Sequence, residues 1–411
     1  MAQEAKLKRI VTLPFLVLYG LGTMVGGGFY ALMGKVAGEA AVYAPVALLC
    51  SGGLALLSGL AIAELASRFP DSSGPVRYIR EGFGREWLAR TIGVLMILTG
   101  VVSAAALAVA TIGFLQDFAS VPQKTAIVLL VLAMGAVAGW GIGKSVAVVT
   151  VITVIEVGAL LYAATVAEAD TLEVARQWRE FVPPLEGGAW LGIFSGAFLA
   201  FYAFIGFEDM ATMAEEVKDV RRSLPRAIII SVLLTILLYV AVAMIAVASI
   251  GPARLAASNT PVAAMVQGHG WYSTTGLGIV SLLTGLNGAL VQIIMASRVV
   301  YGMARQGRGP ATAWLAKVNP GTRTPLRATA LITGVILVLA VLFPLTTLAK
   351  VTSAIILVVF GALNVALWVI KRRDPDRDGE GLRLPLWLPI VGALSAALVL
   401  SFQFWLVATG G

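Results

Sequence analysis

Along the chain, runs of about 20 apolar residues alternate with short polar connections, and the runs are too long and too poor in charge for surface helices of a soluble domain. Taking the run as the unit places spans at 11–37, 43–67, 86–116, 123–140, 145–167, 190–215, 226–250, 271–300, 326–343, 348–370 and 386–408. About eleven transmembrane helices follow, and with them an all-α integral membrane protein. The 86–116 run is about 46 Å long as a helix, more than the roughly 30 Å hydrocarbon core needs, which predicts a tilted span. The 271–300 run is similar.

Two of the runs are interrupted. The first contains Gly20-Leu21-Gly22-Thr23-Met24-Val25-Gly26-Gly27-Gly28-Phe29-Tyr30. Each glycine in a helix interior costs roughly 1 kcal/mol relative to alanine, so three together need a reason. Close packing of helices on small residues is one use. The other is a break whose freed backbone groups line a buried site. About 180 residues later a second run reads Phe204-Ile205-Gly206-Phe207-Glu208-Asp209, a glycine followed at once by two carboxylates. The two long spans, 86–116 and 271–300, are offset by about the same amount. Paired interruptions at corresponding places predict a five-plus-five inverted repeat with discontinuous spans 1 and 6. The division is a cytoplasmic segment 1–10, a first repeat 11–167, an extracellular connection 168–189, a second repeat 190–370, and a cytoplasmic loop with the eleventh span in 371–411.

Composition agrees. The chain is 59% hydrophobic and 13% charged, where a soluble domain carries roughly a quarter charged residues. The net charge of +8 reads as topology rather than nucleic-acid binding. With the amino terminus cytoplasmic, all of the 30 Lys and Arg fall on inward connections except Lys35, Lys124, Arg176, Arg179, Arg254 and Lys350. The 168–189 connection is acidic, with Glu168, Asp170, Glu173, Glu180 and Glu186. Eleven spans put the carboxyl terminus, Gly411, outside the cytoplasmic membrane. The apolar run after Lys6, Lys8 and Arg9 is longer than the core of a signal peptide and stays in the mature chain.

The single cysteine, Cys50, and the single histidine, His269, cannot assemble a metal centre or a His- or Cys-based nucleophilic dyad, so no metal, no cofactor and no enzyme are expected. The paired breaks argue against a channel, which would show filter motifs or rings of charge.

Ionisable residues inside spans are Glu64, Glu156, Glu208 and Asp209, with Arg298 and Lys350 near span ends. Such residues are functional candidates because charge at the bilayer centre costs at least ~2.5 kcal/mol. Glu64 lies four residues before Arg68, which suggests structural pairing at the interface. Asp209 lies close to the lysine-bearing exit of its span. Glu156 sits mid-span without a basic residue in its own run, so it must be protonated, hydrated or matched from elsewhere. A coupling role and a structural hydrogen bond both fit it.

The breaks have complementary chemistry. The half-helix after Gly26–Gly28, with Thr23 and Met24 before it, presents unsatisfied N–H groups that suit a carboxylate. Unwound carbonyls near Phe204, Ile205 and Gly206 suit an ammonium. One site taking both groups is a site for an α-amino acid. Phe201, Tyr202, Phe204 and Phe207 offer aromatic surface beside it, as packing or as gate. Gly27→Leu is expected to fill the carboxylate position and abolish uptake while leaving folding and membrane insertion intact.

The strings from Gly22 to Phe29 and from Phe204 to Asp209 resemble the amino acid–polyamine–organocation superfamily of permeases. So do Ala214-Glu215-Glu216-Val217-Lys218-Asp219, Leu224-Pro225-Arg226-Ala227-Ile228 and Ala296-Ser297-Arg298-Val299-Val300-Tyr301-Gly302-Met303-Ala304-Arg305. The resemblance runs from about residue 10 to 370. It implies the fold of the bacterial leucine transporter, with substrate carboxylate on the Gly26–Gly28 amides and amine on the carbonyls of Phe204, Ile205 and Gly206. It makes Tyr202 a gating aromatic and Glu208 a pH-responsive carboxylate. Many proton-coupled members carry lysine where this chain has Glu156, which opens the choice of coupling ion. The family usually has twelve spans. The implied activity is secondary active amino acid transport across the cytoplasmic membrane, by proton symport. Sodium symport, exchange, and transport of a cationic amine or polyamine remain as alternatives.

Overall fold

In a computed structural model of the chain, the residues described are 11–70, 74–140, 146–167, 169, 171–185, 187–214, 216–268, 270–306, 309–322, 324–374 and 381–409. The amino-terminal segment 1–10, Lys144, Glu168, Asp170, Glu186, Glu215, His269, Arg308, Arg323, Arg377 and Gly411 lie outside them.

The first span is two helices, α1 (Leu13–Met24) and α2 (Gly27–Ala40), separated by Val25 and Gly26. Then follow α3 (Ala44–Arg68), the short amphipathic α4 (Gly74–Phe83), α5 (Glu86–Gln116), α6 (Gln123–Trp140) and α7 (Val146–Val166). After α8 (Thr171–Arg176) comes the second broken span. It consists of α9 (Gly187–Ala200), a 3₁₀ turn Phe201–Phe204, a turn at Ile205 and Gly206, and a further 3₁₀ stretch Phe207–Met213. The remainder is α10 (Val220–Ala257), α11 (Pro261–Ala264), α12 (Trp271–Gln306), α13 (Pro310–Leu315), α14 (Leu326–Leu342), α15 (Leu345–Arg373) and α16 (Trp387–Thr409). Among the described residues, eight helices are long and apolar enough to cross a membrane, and Leu13–Met24, Val151–Val166 and Leu326–Leu342 are shorter apolar helices. Each of the eleven expected spans falls on a helix or a broken pair, so the protein is an all-α membrane protein.

The sequence dictates where these helices start and stop. Pro14 and Pro45 sit in the first turns of α1 and α3, where a missing N–H costs nothing. Gly251, at φ 75°, and Pro252 end the regular part of α10. Many large apolar side chains face outward, Val151, Val154 and Ile155 on α7 among them, as lipid-facing surface must. Polar side chains turn inward instead, and Glu156, on the same helix, is 1% exposed.

α10 packs along α3, α12 along α5, and α1 against both α7 and α10. The two broken spans thus lie inside the bundle, walled by α5, α7, α10 and α12. Below the breaks, a parallel bridge joins Val11 to Val217: the Val11 amide donates to Glu216 O (3.0 Å) and the Lys218 amide to Val11 O (2.9 Å).

Glu64 is a structural node. Fully buried, it accepts from Arg68 Nη2 (2.8 Å), from Lys371 Nζ (2.9 Å) and from the Leu384 amide (3.1 Å), and Lys371 also donates to the Leu384 carbonyl. One carboxylate therefore pins the connection between α15 and α16 onto the end of α3. Removing one member of a buried charge cluster leaves the others uncompensated, at about 3–5 kcal/mol. Glu64→Gln is expected to lower thermal stability in detergent markedly; a melting temperature within a degree of the unmodified protein would contradict this account.

Candidate functional site

The first break is two residues of non-helical backbone. α1 ends at Met24, Gly26 is extended (φ −124°, ψ −160°), and α2 resumes at Gly27. The interruption is therefore Val25–Gly26, and Gly27 and Gly28 occupy the first turn of α2, where the backbone N–H groups have no partner within their own helix. The amides and the positive dipole end of α2 meet at this point.

The three glycines differ in what surrounds them. A Cβ on Gly26 would meet nothing nearer than Gly22 O at 4.0 Å. A Cβ on Gly27 would run into Leu107 Cδ2 (2.8 Å) and Gly285 Cα (2.9 Å), and one on Gly28 would press on the Tyr202 ring at 3.1 Å. Gly26 faces open space, whereas Gly27 lets α2 touch α12. The expectation that Gly27→Leu would leave folding intact is corrected on this ground, and the clean probe is Gly26.

The second break crosses the first. Gly206 has φ +130°, a conformation glycine alone adopts readily, and a Cβ there would lie 2.5 Å from Thr23 O. The 3₁₀ stretch that follows is seven residues, longer than the three or four residues usual for this geometry. Its first turn is held by the Asp209 amide on Gly206 O (3.1 Å) and by Glu208, whose Oε2 accepts from the Gly206 amide at 2.9 Å.

Tyr239 on α10 ties the breaks together. Its hydroxyl donates to Met24 O (2.7 Å), with Ala203 O at 3.2 Å as a second acceptor. Its ring stacks on Phe29 (centroids 3.9 Å) and meets Phe204 edge-on (5.2 Å). Tyr30 of α2 donates to the backbone carbonyl of Glu156 (2.7 Å), fixing α7 at the level of the break. The Tyr202 hydroxyl is 3.0 Å from both the hydroxyl and the carbonyl of Ser103 on α5.

A cavity of about 340 Å³ lies where these parts meet. Of the residues singled out in the sequence, Thr23, Met24, Gly26, Gly27, Gly28, Glu156, Tyr202 and Ile205 line it, together with Asp209 and Arg298. Phe204, Gly206, Phe207 and Glu208 do not. Phe204 packs on Tyr239, Phe207 and Phe201 pack on Phe360, and Glu208 caps the turn. The wall from α12, including Thr284, Asn287, Val291 and Met295, was not read from the sequence, and neither was Tyr239. A lone tyrosine in an apolar run gives no signal by itself. The α12 wall was reachable in part, since its length and small residues, Gly285 and Gly288, match those of a helix packed at a break. The cavity extends from the breaks along α1 towards Tyr19, Met213 and Glu216. On the other side of the breaks α2 is tied to its neighbours: Lys35 donates to Ala256 O (3.0 Å), and Glu39 accepts from Lys350 (3.0 Å) and Ser195 (2.8 Å).

A polytopic helical bundle that buries a small-molecule-sized cavity between two interrupted spans has the form of a solute permease. The chain belongs to the amino acid permease family, within the amino acid–polyamine–organocation superfamily: the family model described as "Amino acid permease" matches residues 12–410. It is similar to the branched-chain amino acid permease BcaP of Bacillus subtilis, at 30% identity over 98% of this chain and 92% of that protein. It is similar also to the cationic amino acid transporter 3, mitochondrial, of Arabidopsis thaliana (29%, covering 91% of this chain and 64% of that one). A third relative is the methylthioribose transporter of Bacillus subtilis (25%, covering 98% and 89%).

Proposed function

We propose that this permease carries α-amino acids across the cytoplasmic membrane by alternating access, coupled to protons through Glu156. The observation that carries the reading is the meeting of two breaks at one cavity: the amino-terminal amides of α2 offer a place for a carboxylate, and Ile205, at the turn of the second break, offers a carbonyl to an ammonium, whereas Gly206 lies off the cavity with its carbonyl on the Asp209 amide. The relatives named for amino acid transport support the same substrate class. The repeats are 11–167 and 190–370, inverted against each other because each holds five spans. With the amino terminus cytoplasmic, the cavity extends inward from the breaks, and the ties at Lys35 and Glu39 lie on the outer side. Labelling of a cysteine placed at either end of a Cys50-free chain checks this orientation.

Purified protein in liposomes, given a panel of amino acids and amines, should accumulate amino acids when the outside is more acidic. It should do so without sodium. Uptake driven by sodium and indifferent to pH would favour the sodium-coupled reading. Uptake that needs amino acid on the far side and no ion gradient would make the protein an exchanger.

A further inference from the structure

We propose that Arg298 forms a second, transient subsite for the substrate, receiving its carboxylate between the first break and the inner mouth of the cavity. The inference deepens the amino acid permease reading and rests on it.

The first observation is a stripe along α12. This helix touches the first break at Gly285, whose Cα lies 2.9 Å from where a Cβ on Gly27 would stand. Thr284, Asn287, Val291, Met295 and Arg298 of α12 all line the cavity. Spacings of three and four residues put them on one face of the helix, one above the other. The side of α12 that meets the break therefore continues as one wall as far as Arg298. At a rise of about 1.5 Å per residue, Arg298 stands about 20 Å along the helix from Gly285.

The second observation is charge. Among the described residues, Arg298 is the one basic residue that lines the cavity, and its side chain is exposed there. Among the same residues, no hydrogen bond or ion pair engages its guanidinium. Its fork of N–H donors is therefore available to a carboxylate, which it matches two bonds at a time.

The third is the path between the two places. Val291 and Met295 on α12 and Met213 on the second broken span are apolar. Asn287 and Gln292 supply amide groups on the way, but Arg298 alone supplies positive charge. Walls of low dielectric focus the field of a fixed cation along a cleft, so Arg298 draws the carboxylate away from the break and offsets its loss of the α2 amides. The contact of Gly27 with Gly285 means that the carboxylate end of the substrate already faces α12 at the break. It reaches Arg298 by sliding along that helix, without turning over.

A subsite on the path changes the rates of binding and not its endpoint, and this separates it from a residue of the main site. The test is stopped-flow binding to detergent-solubilised protein, with the best-bound of the twenty standard amino acids as probe. In Arg298→Gln, association and dissociation should both slow by at least about threefold, within the range that steering by a cleft supplies, and Kd should stay within about twofold. The fall of the association rate with rising salt should flatten, because the charge that salt screens is gone. Arg298→Lys should restore part of both effects. Faster dissociation with a raised Kd would overturn the proposal by making Arg298 part of the main site. Unchanged rates would overturn it too, as would slowed rates that keep the full salt dependence or come with a lowered melting temperature, since Arg298 would then be structural. Each of these leaves the amino acid reading intact. Binding of no amino acid by the unmodified protein would overturn that reading, and this proposal with it.

Discussion

Gly26→Val is expected to abolish uptake while leaving the amount of inserted protein and its melting behaviour unchanged. Gly26 is extended and a Cβ there meets no atom nearer than 4.0 Å, so a small side chain enters without backbone strain. What it fills is the space in front of the first amides of α2, where a substrate carboxylate is expected to sit. Hydrogen bonds to a charged group are worth about 1.5–3 kcal/mol each, and displacing the carboxylate from two of them weakens binding by at least about a hundredfold. Gly26→Ala should give an intermediate loss. The contrast with Gly27 makes the result diagnostic: Gly27→Ala drives a methyl into Gly285 and Leu107, so its loss of uptake should come with loss of stability. Near-normal uptake by well-folded Gly26→Val would place the substrate carboxylate elsewhere.

The glycine run shows what a sequence can and cannot convey. Two uses of Gly26–Gly28 were open from residue type alone, a broken helix and close packing. The structure has both, divided by residue: Gly26 in the break, Gly27 and Gly28 in contact with α12 and Tyr202. Span positions were legible because apolar length is set by the bilayer, and the expected run 86–116 coincides with α5. The Glu64 pairing was legible because Arg68 stands one helical turn away, although Lys371 and Leu384, more than 300 residues distant, were not. Which way a side chain turns at a break was not legible either. Glu208 and Asp209 are adjacent carboxylates in the same motif, yet Glu208 folds back onto the Gly206 amide and Asp209 faces the cavity. A 3₁₀ segment turns about 120° per residue, so neighbours diverge, and nothing in the local sequence fixes the starting angle. The same holds for the aromatics, of which Tyr202 reaches the cavity while Phe204 and Phe207 fill the bundle.

Glu156→Gln is expected to eliminate accumulation against a gradient while exchange of substrate across the membrane continues. The side chain is 1% exposed and lines the cavity, although Val154 and Ile155 beside it face outward, so α7 is oriented to carry this one carboxylate inward. It is held at the level of the first break, since its own backbone carbonyl accepts the Tyr30 hydroxyl of α2 at 2.7 Å. A step earlier on the same helix, Thr153 packs so closely on Gly22 that a Cβ there would come within 1.9 Å of the Thr153 Oγ1. Any change in the charge of Glu156 is therefore felt where α1 gives way to α2, the joint that under the proposed alternating access flexes as the cavity opens to one side and then the other. A group that is neutral when loaded and ionised when empty can bias that joint between two states, because the two forms interact differently with the dipole end of α2. A fixed charge cannot. Glutamine keeps the shape and mimics the loaded form, so the joint can still move with substrate bound, but the cycle no longer takes up or gives back a proton. In liposomes this separates cleanly: counterflow of labelled substrate persists, and the pH-driven overshoot disappears. If the overshoot survives in Glu156→Gln, the carboxylate is a structural group of α7 and the coupling proton is carried by another residue.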